Sequence, residues 1–342
     1  MAQSPTAPTG ASIPIGAPAS AATGFPDGFG VWPTGLLAAL SWAVTAAFIA
    51  WWPSREGAAD TGILTGVVLV AAALLLALGL AGDRLGPFSA WLRPAGAWLV
   101  ALPLGLLFWD AVTDTFALLP PPFFASPAAI LNVYVDDWPK LGTSLLHSVR
   151  LLAIGYAVGA VLGFATGIAI GWWKIAGYWL HPVLRFVGPL PATAWLPIAF
   201  FVFPSSFTAG TFLVALAAGV PVTILTWSGV SGVDKDYYDI ARTLGASQGF
   251  LVRKVAIPAA MPHVFVGLFM GLGASFAVLV VAEMLGVEAG LGWYLQWAQG
   301  WAAYPSMYAA LLVMAVMCSG LVTLLFWTRD RTLAWQKGLV RW

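Results

Sequence analysis

Residues 234–262 read DKDYYDIARTLGASQGFLVRKVAIPAAMP. The pattern predicts two short helices joined by a turn. Asp234 or Asp236 is placed to cap the first helix, because a short side-chain oxygen accepts from the free N–H groups of a first turn. Tyr237, Tyr238, Ile240, Ala241 and Leu244 give that helix an apolar face. Gly245 ends it, supplying a backbone freedom other residues lack. Ser247 is placed to cap the second helix, whose apolar residues are Phe250, Leu251 and Val255. Pro258 is expected to stop that helix and Pro262 to open the next segment. An amphipathic pair of this kind needs something to bury its apolar faces, either a membrane surface or a soluble partner.

The flanking sequence decides where this pair sits. Runs of about 20 apolar residues cross a bilayer as helices. Residues 208–230 precede the pair and 262–285 follow it. Six further runs lie at 35–52, 62–81, 97–119, 141–173, 186–203 and 307–327. The run at 97–119 is interrupted by Asp110 and Asp114. The run at 186–203 carries prolines at 189, 191 and 197, which predict a kink or an irregular stretch. Composition agrees with eight spans: the 342 residues are 60% hydrophobic and 8% charged, against roughly 25% charged in a soluble domain. Residues 1–33 differ in kind. They are rich in Ala, Pro, Gly, Ser and Thr, lack Lys and Arg, and read as a disordered cytoplasmic tail rather than a signal peptide.

Basic residues orient the spans. With the tail inside, the cytoplasmic segments hold Arg84, Arg93, Lys174, Arg185, Lys235, Arg242, Arg253, Lys254, Arg329, Arg331, Lys337 and Arg341. The outer loops hold only Arg55 and Lys140, and Arg150 falls within a span. The 231–261 loop and both termini are therefore expected in the cytoplasm. Trp51, Trp52, Trp172, Trp173, Trp293, Trp297 and Trp301 fall near the proposed interfaces.

The 141–173 run contains Gly155, Gly159, Gly163, Gly167 and Gly171. A glycine every four residues makes a smooth ridge that another helix backbone can approach closely. A glycine-lined pore is the sharper alternative.

The loop also resembles a known family. The permeases of binding-protein-dependent ABC importers share a cytoplasmic motif of the form E-A-A, three residues, G, nine residues, I-x-L-P. Here Asp239-Ile240-Ala241, Gly245 and Val255-Ala256-Ile257-Pro258 keep that spacing throughout. Asp for Glu, Val for Ile and Ile for Leu are mild departures, and Ile240 for the first Ala is a larger one. From about residue 95 to 338 the chain looks like the nitrate, sulfonate, taurine and bicarbonate branch. The stretches that carry the likeness are LPPPFFASPAAI (119–130), SVRLLAIGYAVGAVLG (148–163), PLPATAWLPIAFFVF (189–203) and VAEMLGVEAGLGW (281–293).

The resemblance implies an all-α type I importer permease fold: a six-span core in residues 95–338, with two additional spans in 34–82 outside the pattern. It implies that Asp239, Ile240, Ala241, Gly245, Ala246 and Pro258 form the coupling element that docks on an ATPase. It implies a multi-pass protein of the bacterial inner membrane, working with a second copy of itself. Two cytoplasmic ATP-binding subunits and a periplasmic or lipid-anchored solute-binding protein complete the assembly. A small oxyanion is the implied cargo.

Absences bear on the alternatives. No G-x-x-x-x-G-K phosphate loop occurs, so ATP and Mg are expected on the partner subunit, with no cofactor in this chain. A net charge of +1 offers no field for nucleic acid. Cys318 alone makes no internal disulfide. His147, His181 and His263 are scattered, and no metal site is expected. An ion-coupled secondary transporter would show inverted repeats and several buried acids. A membrane enzyme would show a polar catalytic cluster at one face. Neither pattern is present. The candidate path or gate residues are Arg150, Trp195 and Glu283. Arg150 lies roughly 13 Å into its span and Glu283 roughly 31 Å along its own, so both fall in the outer half. Two opposite charges at neighbouring depths suggest a structural ion pair; the alternative is that Glu283 serves an outer gate while Arg150 attracts an anion.

Overall fold

The computed structural model describes residues 31–52, 60–82, 92–119 and 122–335, and these are helical apart from short connections. The tail expected over 1–33 falls almost wholly outside them, as do Arg55, Arg84, Lys337 and Arg341. In chain order the helices are α1 Pro33–Trp51, α2 Thr61–Ala81, α3 Gly96–Asp110, α4 Pro127–Asp136, α5 Trp138–Trp172 and α6 Lys174–Val187. They continue as α7 Leu196–Val202, α8 Ser206–Ser231, α9 Lys235–Thr243, α10 Gln248–Leu285, α11 Leu291–Gly300 and α12 Tyr304–Thr332. Among the described residues, seven helices are long and apolar enough to cross a membrane, or eight if one bent pair counts as a span.

The bent pair corrects the expected fifth span at 186–203. Lys174–Val187 and Ala192–Val202 meet at 88°. Pro189 and Pro191 sit at the break, where neither can donate to a preceding carbonyl. Pro197 lies in the first turn of α7, where a missing N–H costs little.

The chain divides into two compact units. One comprises residues 1–46 and 68–105. Its centre is Ala38, Ala39 and Leu75, with Trp42, Leu99 and Val100 packed around them. Pro103 inside α3 has no N–H for the carbonyl of Leu99. Trp42 Nε1 of α1 donates to that carbonyl at 2.9 Å. Thr45 Oγ1, fully buried, lies 3.1 Å from the carbonyl of Pro103 itself. One added N-terminal helix thus completes the backbone hydrogen bonding that a proline interrupts.

The other unit comprises residues 47–67 and 106–342. Here α5 and α8 lie against each other along the glycine ridge. A Cβ at Gly159 would overlap the carbonyl oxygen of Ala215, and one at Gly163 would come within 2.6 Å of the carbonyl oxygen of Gly219. At Gly155, Gly167 and Gly171 it would meet Val214, Thr226 and Val230. The ridge thus lies in close contact with α8 in this structure. Thr166 and Thr223 hydroxyls meet across the seam at 3.0 Å. On its other side α8 packs against α10, where Ser275 Oγ donates to the carbonyl of Val214 at 3.2 Å.

α10 departs from the expected break. Pro258 does not stop a helix and Pro262 does not open one: a single helix runs from Gln248 to Leu285. Residues Leu251–Ala256 form a π-helical stretch just ahead of Pro258. A wider turn there relieves the clash between the proline ring and the carbonyl four residues back.

Candidate functional site

In the motif loop, α9 begins at Asp234, whose side chain accepts from the N–H of Asp236 at 3.1 Å. It ends in a Schellman turn: Gly245 N–H donates to Arg242 O at 2.9 Å, and Ala246 N–H to Ala241 O at 3.0 Å. Gly245 sits at φ +83°, with open space where a Cβ would be. Glycine is required there by the backbone and not by a neighbour. Ser247 accepts from the N–H of Phe250 and starts α10.

The expected single apolar face of α9 is in fact divided. Tyr238 turns inward, its ring edge-on to Trp172 at 5.6 Å, within a cluster built on Ile168, Val230, Ala256 and Ala260. Burial raises the Tyr238 phenol above its ordinary value, and the Arg242 guanidinium opposes that shift. Tyr237, Ile240 and Leu244 point outward with Phe250, and Leu244 is 83% exposed. Helical spacing explains the division, since 237, 240 and 244 share a face that 238 does not. Asp239 pairs with Arg242 at 3.0 Å on the exposed side. Pro258, assigned to the motif's end, lies inside α10 and away from the turn.

At the opposite end of α10, the ion pair between Arg150 and Glu283 is absent. Glu283 is 1% exposed and bonded elsewhere. Ser148 Oγ lies 2.7 and 2.8 Å from its two carboxylate oxygens, and Gly292 N–H donates to Oε2 at 2.8 Å. Ser148 Oγ in turn accepts from Leu291 N–H at 2.8 Å. Ser148 and Arg150 are two residues apart on α5, hence on opposite faces. With Ser148 turned to the core, Arg150 turns outward, its guanidinium 5.2 Å from the ring centre of Phe207. Trp195 packs elsewhere again, on the cluster of Leu196, Ala199, Leu213 and Ala282. Its Nε1 is buried with no hydrogen-bond partner among the described residues. The three candidate path residues therefore do not converge.

The sequence reading missed Ser148, Gly290 and Gly292. The available signal was the G-L-G at 290–292, seven residues beyond Glu283: two glycines opening a helix leave its backbone N–H groups accessible.

A family profile described as "Binding-protein-dependent transport system inner membrane component" matches residues 159–331. The chain belongs to that family. It is a permease subunit, a multi-pass inner-membrane protein that works with separate ATPase and solute-binding partners. The permease is 30% identical over 275 residues to the nitrate import permease protein NrtB of Synechococcus elongatus, covering 74% of this chain and 94% of that protein. It is 33% identical over 199 residues to the bicarbonate transport system permease protein CmpB of the same species, covering 58% and 67%. Among solved structures, one described as inward-facing conformations of the MetNI methionine ABC transporter is 16% identical, covers 59% of this permease and 97% of that chain, and has a TM-score of 0.48. Helices α1 and α2 lie outside the residues that the family profile matches.

Proposed function

We propose that this permease conducts a small oxyanion of the nitrate or bicarbonate class, and that the 231–261 loop is where the ATPase docks. Arg150 carries the first half of this reading. It is a permanently charged group on the outward face of a membrane-crossing helix, with no acidic partner among the described residues. A charge so placed is unstable against lipid and belongs on an aqueous path or a protein interface. A passing anion would supply the missing countercharge. The relatives named for nitrate and bicarbonate point to the same class.

The second half rests on the exposed side chains of Tyr237, Ile240, Leu244 and Phe250 in the motif loop. With the loop and both termini in the cytoplasm, this surface meets a soluble partner. A second copy of the chain completes the translocation path. ATP and Mg bind on the ATPase subunits.

The test is ATP-driven uptake by the reconstituted assembly, with nitrate, bicarbonate and an alkylsulfonate offered separately. Saturable uptake of one of them is expected, with Arg150→Gln raising the half-saturating concentration and Arg150→Lys restoring it. Uptake confined to cations or neutral solutes would overturn the assignment.

A further inference from the structure

We infer that Glu283 is a positioning residue that fastens outer helix α11 to the far end of α10, the helix that begins in the motif loop, so that movement imposed at the 231–261 loop is delivered to the outer face. The inference rests on the reading of that loop as the ATPase dock.

α10 begins within the motif and is unbroken to Leu285. From Gln248 to Glu283 it spans about 50 Å at the usual rise. The motif and Glu283 are therefore opposite ends of one rod. The π-helical stretch Leu251–Ala256 lies near its start, and the length beyond it is α-helical, with Pro262 inside its first turns.

At the outer end, one carboxylate and one hydroxyl join three helices. Glu283 of α10 accepts from Gly292 N–H of α11, while Ser148 of α5 donates to the carboxylate and accepts from Leu291 N–H. Gly290 sits at φ +133° and ψ 168°, a conformation essentially confined to glycine. A Cβ there would overlap the Glu283 carboxyl carbon. The carboxylate is thus seated flush on the backbone that opens α11, and both N–H groups nearest that opening are satisfied by it or by Ser148.

α11 is a short helix with a firm seat. Leu291, Tyr294 and Ala298 are fully buried. Tyr294 Oη donates to Asp137 at 2.9 Å, and Lys140 Nζ lies 3.0 Å from the ring centre of Trp297. These side contacts hold α11 to the start of α5, and Glu283 is the carboxylate by which α10 holds it. An axial shift of α10 must either carry α11 along or break the bonds to Glu283. Buried acceptors are costly to strand, so the helices move together.

The experiment uses the full assembly, permease with ATPase and binding protein in liposomes, and reads the ratio of binding-protein-stimulated to basal ATP hydrolysis. Ser148→Ala and the milder Glu283→Gln both loosen the joint. Tyr156→Phe is the comparison: it removes another α5–α10 bond, from Tyr156 Oη to the carbonyl of Leu268 at 2.8 Å, without touching α11. The ratio should fall at least about fivefold in the first two, the low end of ordinary coupling between sites, and stay near wild type in the third. An equal fall in all three would mean the joint only holds α5 to α10, and would overturn the inference. An unchanged ratio in Ser148→Ala and Glu283→Gln would overturn it too. Gly245→Leu separates the two readings. If it uncouples the assembly and the joint variants do not, the joint fails alone; if it also leaves the ratio intact, the docking assignment fails with it.

Discussion

The segments at the two ends of α10 each need a glycine, but to different degrees. Beyond its C-terminal end Gly290 is forced twice, by a φ of +133° and by the Glu283 carboxyl group filling the place of a Cβ. Before its N-terminal end Gly245 is forced only by a φ of +83°, with empty space beyond it. The Glu283 joint is finished within one chain: the Glu283 carboxylate and the Ser148 hydroxyl are bonded, and the apolar side chains Leu291 and Tyr294 are covered. The motif loop is unfinished, since Tyr237, Ile240, Leu244 and Phe250 stay exposed. On the function proposed above, a partner covers that apolar surface.

This contrast predicts a descending series of effects. Gly290→Ala should be the most damaging, costing about 3 kcal/mol or more through backbone strain and overlap with Glu283. The check is thermal unfolding of the detergent-solubilised permease, where a near-normal midpoint would break the account of the joint. Gly159→Leu should follow, costing about 1–3 kcal/mol by pushing α5 off the backbone of α8. Comparable loss from leucine at Gly105, where a Cβ meets nothing within 4 Å, would show that the ridge has no special status. Gly245→Leu should cost only about 1 kcal/mol of stability. Its effect should appear instead as lost stimulation of the ATPase in an assembly that still forms. Unfolding of Gly245→Leu as severe as that of Gly290→Ala would erase the distinction between the two ends.

Much of this architecture is legible in the residues, and the failures have physical causes. Apolar run length located the membrane helices, because a span must satisfy its backbone internally and bury its side chains in lipid. The glycine period in α5 and the Gly245 turn were legible because each is a local rule. The continuity of α10 was not, since Pro258 and Pro262 are ordinary stop signals and the π-helical stretch that accommodates Pro258 has no sequence signature of its own. The partner of Glu283 was misjudged because charge and depth alone singled out Arg150. Depth ignores azimuth: Ser148, two residues earlier, occupies the inner face and excludes Arg150 from it. The Ser148 hydroxyl and the backbone N–H of Gly292 replace the expected cation, and no charged residue type announces either. The division of α9 into an inward Tyr238 and an outward Leu244 was available from helical spacing, which pooling the residues into one face ignored.

The most direct test of the docking surface is the accessibility of position 244. A single cysteine at Leu244, in a Cys318→Ser background, would be labelled with a membrane-impermeant thiol reagent, in the purified permease and again in the assembly with its ATPase. The account predicts fast labelling of the permease alone and strong protection in the assembly, with protection lost when the ATPase is stripped away. Equal labelling rates with and without the ATPase would contradict it.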